Sequence, residues 1–501
     1  MKDGPGKQRI APVVVPGWVL CLLMAACVWR LWLMPLPSSF WVDEMATAFV
    51  VEHGANHPSL AVAPQVPQSI YYWLPRVSDR VFGLSEISYR MPSVLVMGIA
   101  LVIIAKLAAR LIHPDAGWFA AFACLALKGL NYFAIDARPY GLGICVAAAT
   151  IWFLVRWLDS VRWLDAAAFI ACAALLWRVH LIYWPFYFIL PGYAAARVME
   201  RSTAVGWLRA SAVFAIGGLT LVPVAMRALA LLREAPAHVI VPVPPASVLA
   251  HYLKWNLVFF CAVGPWLARR IFHWQGRTTV SGLSTALILG WALCQPVFLF
   301  AFSWVTGDSV FIPRYLSLSL PGIALAATAA AAWFLPPERW RFATACLSVG
   351  ALVLVGSSRE LWPPHDNADW RSAARAVNRI ESRTPTPVIC TSPFIEARPP
   401  EWKPDYKLPG FLYSQLAVYP IDGMKYLFPF EDSPEAERYA SELLEATLDP
   451  AGRFILYGGA GGIRFWRKWF AARLPGWSND QMGSFGDVWV IRFRAATVRE
   501  R

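Results

Sequence analysis

The chain has 501 residues, of which 57% are hydrophobic and only 15% are charged. In soluble proteins about a quarter of the residues are usually charged. Runs of about 18 apolar residues, long enough to cross the hydrocarbon core of a bilayer, recur along this sequence. The composition therefore excludes an ordinary soluble protein. The net charge of +13 does not indicate nucleic-acid binding, because much of the basic excess lies in short loops between apolar runs.

The apolar runs predict a polytopic α-helical membrane protein with about eleven transmembrane helices. The predicted spans are 12–35, 91–112, 116–134, 139–157, 164–178, 181–197, 207–231, 252–268, 280–305, 314–335 and 341–356. The first span is interpreted as a retained helix and not as a signal peptide, because no small-residue cleavage site follows it.

The loops between the spans form two alternating sets with different charges. The basic set contains Lys2, Lys7, Arg9, Arg110, Arg156, Arg162, Arg197, Arg201, Arg209, Arg269, Arg270, Arg277, Arg339 and Arg341. The mixed set contains Asp43, Glu44, Asp136, Arg138, Arg178, His180, Glu234, His238, Asp308 and Arg314. The positive-inside rule makes the basic set and the N-terminus cytoplasmic. An odd number of spans then places the chain after about residue 357 outside.

The predicted domains are therefore a membrane module, 1–356, and an extracytoplasmic domain, 357–501. The first outer loop, 36–90, belongs to the membrane module. In the C-terminal domain, helices are predicted at 367–383, 433–448 and 462–470, and strands at 386–392, 453–457 and 487–493. Alternating strands and helices indicate a small α/β domain.

A glycine-rich stretch, YGGAGG at 457–462, joins a predicted strand to a predicted helix, as dinucleotide-binding turns do. Its spacing is not GxGxxG, however, and an extracytoplasmic domain rarely meets nucleotides. A tight turn built with glycine is the preferred interpretation.

Two adjacent carboxylates, Asp43 and Glu44, follow the first span in the sequence FWVDEMATAFV. Most such pairs are solvated and cap a helix. Here Phe40 and Trp41 place the pair at the membrane interface, and the residues that follow have the pattern of short interfacial helices. These features favour a functional carboxylate over a capping pair.

A second outer loop, IDARPYGLG at 135–143, places Asp136 and Arg138 just before Pro139, which is well suited to begin a helix whose dipole favours an anion. Arg76 and Arg80 lie four positions apart in the first outer loop. Carboxylates, arginines and aromatic side chains at a bilayer edge suit a lipid-linked phosphosugar. Arginine would bind the phosphate, and the carboxylate would deprotonate an acceptor hydroxyl.

Five stretches of the chain resemble, in order, one family of membrane enzymes. They are WVDEMATA (41–48), YYWLPRVSDRVFGLSEISYRMPS (71–93), DARPYGL (136–142), PRYLSLSLPGIAL (313–325) and DWRSAARAV (369–377). The pattern resembles the polyprenyl-phosphate-sugar-dependent glycosyltransferases of the GT-C fold. Within them it is most similar to the bacterial branch related to protein O-mannosyltransferases and lipid A aminoarabinose transferases.

The resemblance implies inverting transfer of a hexose or pentose from an undecaprenyl-type carrier to an extracytoplasmic lipid, glycan or protein, in a bacterial inner membrane. By position, Asp43 is the base and Glu44 supports it or helps to bind a divalent metal; a metal requirement stays open, and no other cofactor is implied. The resemblance implies that Asp136, Arg138 and Tyr140 of the second outer loop also belong to the site. It assigns Arg314 and Tyr315 to binding of the carrier phosphate. Tyr71, Tyr72, Arg76, Arg80 and His180 complete the candidate substrate-binding set.

One stretch departs from the family pattern. Relatives commonly carry a His-Pro-Pro or Lys-Pro element before the paired aromatics, whereas VPQSIYYW at 66–73 has no basic residue there. Arg76, Arg80 or Arg138 would then have to bind the phosphate, or His57 would supply an imidazole.

Two other classes of membrane protein compete with the transferase. A transporter or flippase for lipid-linked sugars usually shows internal repeats and midplane charges, and neither is visible in this sequence. An envelope glycan polymerase or ligase is disfavoured by the early acidic pair and by the α/β C-terminal part.

Overall fold

A computed structural model describes residues 15–232, 242–358, 360–383 and 385–496. The predicted loop residues Lys2, Lys7, Arg9, Glu234 and His238 lie outside the described residues. The chain forms two compact units. The membrane unit comprises the described parts of Met1–Met34, Ser93–Ile135 and Pro139–Leu361, and the sheet unit comprises those of Pro35–Pro92, Asp136–Arg138 and Trp362–Arg501.

Helices dominate both units. In chain order they are α1 Gly17–Val28, α2 Val42–His53, α3 Trp73–Phe82, α4 Glu86–Leu111, α5 Ala116–Leu125, α6 Lys128–Ala134, α7 Tyr140–Ser160, α8 Trp163–Val179, α9 Ile189–Met199, α10 Trp207–Leu232, α11 Ala246–Tyr252, α12 Trp255–Ile271, α13 Gly282–Thr306, α14 Ser319–Ala332, α15 Trp340–Leu354, α16 Trp370–Glu381, α17 Ser414–Val418, α18 Pro434–Leu443, α19 Asp449–Ala451 and α20 Ala460–Arg473. The strands are β1 Val388–Thr391, β2 Lys425–Phe428, β3 Arg453–Gly459, β4 Ser478–Gln481 and β5 Val488–Arg494.

Four of the described helices are long and apolar enough to cross a bilayer: α4, α7, α10 and α13. The bent pair α11 and α12 could form a fifth span. Each of the eleven predicted spans contains helical residues, but several are divided; the first, for example, is α1 followed by a π-helical turn at Trp29–Leu33. The protein is a multi-pass membrane protein, and the count of eleven spans stays a prediction.

Helices α13 and α14 approach each other closely in the membrane unit. A side chain at Gly322 would collide with the backbone of Trp291 and Ala292, so glycine is required at this crossing. The Trp291 indole N–H donates to the carbonyl of Leu318 at 2.7 Å, which satisfies a buried carbonyl at the start of α14. A residue without a side chain at this crossing thus allows the two helix backbones to pack closely.

The sheet unit contains one five-stranded mixed sheet in the order β2-β1-β3-β5-β4. Strand β1 is parallel to β2 and β3, with Cys390 paired to Leu427 and to Tyr457. Strand β5 is antiparallel to β3 and β4. Three of the strands, β1, β3 and β5, and the helices α16, α18 and α20 fall within or overlap the predicted elements, so a C-terminal α/β fold is confirmed. Its predicted extracytoplasmic location is not tested by these contacts.

Helices cover both faces of this sheet because alternate strand residues point to opposite sides. On one face Trp370 of α16 packs edge-on against Tyr457, with 5.8 Å between ring centroids. On the other face Phe470 of α20 packs against Phe454, at 5.0 Å. The core of the sheet unit is therefore aromatic on both sides.

The first outer loop belongs to the same core as the sheet. Helix α2 buries Met45, Phe49 and Val50 in the hydrophobic cluster that also contains β1 and β3. The Phe49 ring lies 6.2 Å from that of Phe411, between ring centroids. The first outer loop, which is predicted to belong to the membrane module, therefore packs with residues after 362, because the apolar face of α2 is buried there.

Candidate functional site

Helix α2 separates the two adjacent carboxylates. It begins at Val42, and the backbone N–H of Trp41 donates to Oε2 of Glu44 at 3.3 Å, so Glu44 caps the helix from its first turn. Successive helical residues point about 100° apart. Glu44 consequently faces the protein interior and is fully buried, whereas the Asp43 side chain stays 19% exposed.

Glu44 forms a buried, bidentate ion pair with Arg90. Nε of Arg90 donates to Oε1 at 2.8 Å and Nη2 donates to Oε2 at 2.5 Å, with neither side chain exposed. The backbone N–H of Ala137 donates to the same Oε1 at 2.8 Å. Both carboxylate oxygens are thus occupied by charge-assisted or backbone hydrogen bonds, which leaves Glu44 poorly suited to accept a proton from a substrate.

Arg90 also holds the backbone that leads to the acidic pair. Its guanidinium donates to the carbonyls of Leu36 at 2.9 Å, Ser38 at 2.7 Å and Ser39 at 3.0 Å. Arg90 lies in the family motif at 71–93, but the sequence does not indicate its role. The available signal was an arginine at the start of a long apolar run, where an unpaired charge is costly.

Asp43 of the first outer loop lies beside Arg138 of the second. Nη2 of Arg138 is 3.9 Å from Oδ2 of Asp43, and Nη1 donates to the Asp43 carbonyl at 3.2 Å. The hydroxyl of Tyr72 hydrogen-bonds with Arg138 and Thr47; burial raises the pKa of this phenol, and the nearby guanidinium opposes that rise. Arg138 therefore links a partly exposed carboxylate to a buried tyrosine.

Asp136 is buried next to this group. Its Oδ1 accepts a hydrogen bond from the indole of Trp41 at 3.0 Å. Burial raises the pKa of Asp136 to about 7, against the opposing influence of the indole hydrogen bond and of Arg138. Nε2 of His365 lies 3.6 Å from the same oxygen, and burial lowers the pKa of this imidazole to about 3. The imidazole is therefore neutral at pH 7, and the contact is not an ion pair.

His365 is a site residue that sequence reasoning missed. It lies in the stretch PPHDNADW, between the last predicted span and the first predicted C-terminal helix. Its backbone N–H donates to Oγ of Ser38 at 3.0 Å, so it also contacts the segment held by Arg90. Nothing in the local sequence distinguishes this histidine from an interfacial one.

Among the described residues, Glu44, Asp136 and His365 could offer ligand atoms within 4.8 Å of one another to a metal ion. A neutral imidazole and two carboxylates are ordinary metal ligands. Glu44, however, already accepts two hydrogen bonds from Arg90, and a metal would have to displace that guanidinium. The residues present therefore fit a metal poorly at this position, and no chemical step is assigned to one.

Four of the predicted residues form a second cluster, in the membrane unit. The His180 ring stacks on Tyr140 at 5.8 Å and meets Tyr315 edge-on at 5.4 Å, both between ring centroids. The guanidinium of Arg314 lies 5.7 Å from the centre of the Tyr315 ring. The second outer loop and the loop before α14, which are far apart in sequence, thus contribute to one aromatic and basic cluster.

The remaining predicted residues lie in α3 and in the turn that precedes it. Tyr71 is fully buried against Tyr72, with 6.0 Å between ring centroids. Arg76 lies over the ring of Trp73 at 5.8 Å, and Arg80 is exposed. The exposed face of α3 carries Trp73, Val77, Val81 and Phe82, a pattern typical of a helix at a membrane surface.

Comparison with known proteins supports this fold. Residues 67–226 match the PMT_2 family, described as dolichyl-phosphate-mannose-protein mannosyltransferase. No curated protein sequence gives a significant match. The structure is similar to that of ArnT from Cupriavidus metallidurans bound to undecaprenyl phosphate, at 12% identity over 97% of this chain and 100% of that chain, with a TM-score of 0.53. For the apo state of the same protein the TM-score is 0.55, at 12% identity over 97% of this chain and 99% of that chain.

A further match is arabinosyltransferase EmbB from Mycobacterium smegmatis, at 17% identity over 83% of this chain and 38% of that chain, with a TM-score of 0.44. The family match covers the end of the first outer loop, the Asp136–Arg138 loop and His180. The resemblance predicted from the sequence is confirmed: the chain resembles the polyprenyl-phosphate-sugar glycosyltransferases of the GT-C fold, through its PMT_2 region and its overall architecture.

Proposed function

We propose that the protein is an inverting membrane glycosyltransferase that moves a sugar from a polyprenyl-phosphate carrier to an acceptor outside the cytoplasm. The observation that carries this proposal is the different state of the two adjacent carboxylates. Glu44 is buried and fully hydrogen-bonded, whereas Asp43 is partly exposed and lies beside Arg138. The family match to mannosyltransferases and the fold shared with a protein solved with undecaprenyl phosphate support the donor class.

In the proposed reaction, Asp43 accepts the proton of an incoming acceptor hydroxyl as that oxygen attacks the anomeric carbon. The bond between this carbon and the carrier phosphate breaks on the opposite face, which inverts the configuration. A positioned general base contributes typically about 10²–10⁴-fold to such a step. Arg138 donates to the backbone carbonyl of Asp43, which positions this residue, and its Nη2 lies 3.9 Å from the carboxylate.

The departing polyprenyl phosphate needs positive charge and not a proton, because a phosphate is already a good leaving group. The family resemblance makes Arg314 our candidate for this role; within the membrane unit its guanidinium lies over the ring of Tyr315, which His180 also contacts. Arg76 and Arg80 belong to the apolar surface helix α3 instead, so we assign them to the membrane surface. Tyr140, which stacks on His180, and Tyr183, whose ring is tilted against His180, belong to the same cluster of the membrane unit.

The test is mass spectrometry of envelope lipids and glycans from cells that produce the wild-type protein or Asp43→Asn. We expect the variant to insert normally, to lose the sugar modification and to accumulate the polyprenyl-phosphate-linked donor. Asp405→Asn is the control, because Asp405 is an exposed aspartate of the same unit and has no place in the proposed site. A normal level of the modification in the Asp43→Asn cells would remove Asp43 from the role of base.

A second comparison tests the arginine. Arg138→Ala should impair donor use strongly, whereas Arg277→Ala, in a predicted cytoplasmic loop, should not. Equal loss in the two variants would mean that the predicted topology or the proposed site is wrong.

A further inference from the structure

Helix α16 presents a row of arginines on its outer face. Arg371, Arg375, Arg379 and Arg383 follow at intervals of four residues, the last just beyond the helix. The opposite face buries Trp370, Ala373, Ala374 and Val377 against the sheet unit. Residues four apart lie on one side of a helix, so the arginines form a stripe. None of the roles proposed above uses this stripe.

The centre of the stripe borders a shallow, open groove. The groove has a volume of about 500 Å³ and is lined by Ser372, Arg375, Asn378 and Arg379. The two guanidinium groups and the Ser372 hydroxyl offer several hydrogen-bond donors, whereas the Asn378 amide already donates to the carbonyl of Pro420 at 3.2 Å. No carboxylate is among the residues that line the groove. The acidic residue of the same helix, Glu381, accepts the backbone N–H of Thr386 at 2.7 Å instead. Such a set of donors suits a phosphate group.

Arg371, the first arginine of the stripe, forms an ion pair with the first residue of the apolar helix α4. Nη1 of Arg371 is 3.1 Å from Oε1 of Glu86, in the first turn of α4, which is 26 residues long and apolar enough to cross a bilayer. The hydroxyl of Tyr419 donates to the same oxygen at 2.7 Å. One helical turn, about 5.4 Å, separates Arg371 from Arg375. Arg371 therefore lies beside the first turn of α4, and Arg375 and Arg379 follow at intervals of one turn along α16.

We propose that this groove binds the phosphate headgroup of an anionic phospholipid of the surrounding bilayer. Phospholipid headgroups lie at the level of a span's first turn, and a basic stripe next to a span favours anionic over zwitterionic lipids. The apolar side chains of Leu84 and Ile87, exposed beside Glu86, provide a surface for acyl chains. The bound lipid is neither donor nor acceptor, so this inference does not depend on the proposed function.

The full-length protein, reconstituted into nanodiscs of phosphatidylcholine with a minor fraction of phosphatidylglycerol, provides the test. A photoactivatable phosphatidylglycerol with its reactive group in the headgroup region should label the peptide that contains α16. The matching phosphatidylcholine probe should label it much less. In Arg375→Gln/Arg379→Gln we expect labelling by the anionic probe to fall by about fivefold for each arginine removed. High salt should reduce wild-type labelling in the same direction.

Arg464→Gln/Lys468→Gln is the matched control. It removes two exposed basic residues, also four positions apart, from α20 of the same unit, and it should leave labelling of the α16 peptide unchanged. Both pairs are exposed, so both variants should melt at the wild-type temperature. Equal labelling by the two lipid probes, or full labelling of the α16 double variant, would overturn the proposal. Competition by millimolar inorganic phosphate without preference between the lipids would assign the groove to a soluble anion and would also overturn it.

Discussion

Asp43 and Glu44 are chemically similar neighbours, yet the fold gives them different environments. Glu44 exchanges hydration for a guanidinium and a backbone N–H, which fixes the geometry around it. A buried ion pair of this kind contributes little net stability compared with an apolar pair, but removal of one partner is costly. We therefore interpret Glu44 as the residue that holds the site and Asp43 as the residue that reacts.

This difference predicts opposite outcomes for two conservative substitutions. Glu44→Gln leaves the charge of Arg90 buried without a counter-ion, so we expect the free energy of unfolding to fall by about 3–5 kcal/mol. Asp43→Asn alters a partly exposed group and should change stability by less than about 1 kcal/mol. Thermal unfolding of the purified, full-length variants in detergent measures both. Similar melting temperatures for the two variants would contradict the structural role of Glu44.

The raised pKa of Asp136 predicts a pH-dependent contribution to stability. The folded protein favours the neutral carboxyl group, since its pKa of about 7 lies above the value of 3.8 for an unperturbed aspartate. A group whose pKa rises on folding stabilises the protein at low pH, and that contribution declines as the pH rises from about 4 to about 7.

The difference in melting temperature between wild type and Asp136→Asn should therefore become less favourable to wild type from pH 5 to pH 8 and then level off. His365 titrates in the opposite sense, because its lowered pKa makes acid destabilising. Both proteins contain His365, so its contribution cancels in the difference between their melting temperatures. A difference that is constant with pH would show that Asp136 is ionised throughout this range.

Sequence alone could predict Asp43, Glu44, Asp136 and Arg138 as neighbours, because each lies at the mouth of an apolar run on the same predicted side. It could not identify Arg90 as the partner of Glu44, which is 46 positions away. Many arginines occupy loop positions in this chain, and only tertiary packing selects the one that enters the interior. His365 could not be predicted for the same reason.

At the scale of secondary-structure elements, strong periodicity was predictive and weak periodicity was not. Helix α16 and strand β1 lie within the predicted 367–383 and 386–392, because one has a clear amphipathic pattern and the other a continuous apolar run. Strands β2 and β4 were missed. Strand β4 is the polar sequence SNDQ at the edge of the sheet, and it is a strand because it pairs with β5.

The glycine-rich stretch after β3 is explained by packing between strands. Gly458 has a φ of 157°, and a side chain there would collide with the hydroxyl of Thr391 at the end of the adjacent strand β1. Gly459, the next residue, has open space around its Cα and an ordinary φ of −65°. The stretch thus contains one glycine that the fold requires beside another that it does not, which supports the turn interpretation over a nucleotide site.

Substitution of these two glycines should separate the two cases. Gly458→Ala should destabilise the protein by at least about 1–3 kcal/mol, through backbone strain and the collision with Thr391. Gly459→Ala should change stability by less than about 1 kcal/mol. Thermal unfolding of both full-length variants provides the comparison, and an equal effect would mean that close packing at Thr391 does not determine the glycine at 458.

At the scale of the whole molecule, the orientation in the membrane follows from the charge of the loops and the parity of the spans. Five predicted spans lie between Glu200, in a basic loop, and Ser382, at the end of α16. An odd number of crossings places these two exposed residues on opposite sides of the bilayer. The proposed site requires the sheet unit to be outside, because the acceptor is proposed to be extracytoplasmic.

Cysteine labelling with a membrane-impermeant maleimide tests this orientation. Ser382→Cys should react in sealed right-side-out vesicles, and Glu200→Cys only in inside-out vesicles. Wild type measures the background from the native cysteines, of which Cys21 and Cys346 are exposed on apolar helices. Labelling of both new cysteines from one side would require an even number of spans between them. The predicted topology would then be wrong, and with it the assignment of Asp43 to an extracytoplasmic reaction.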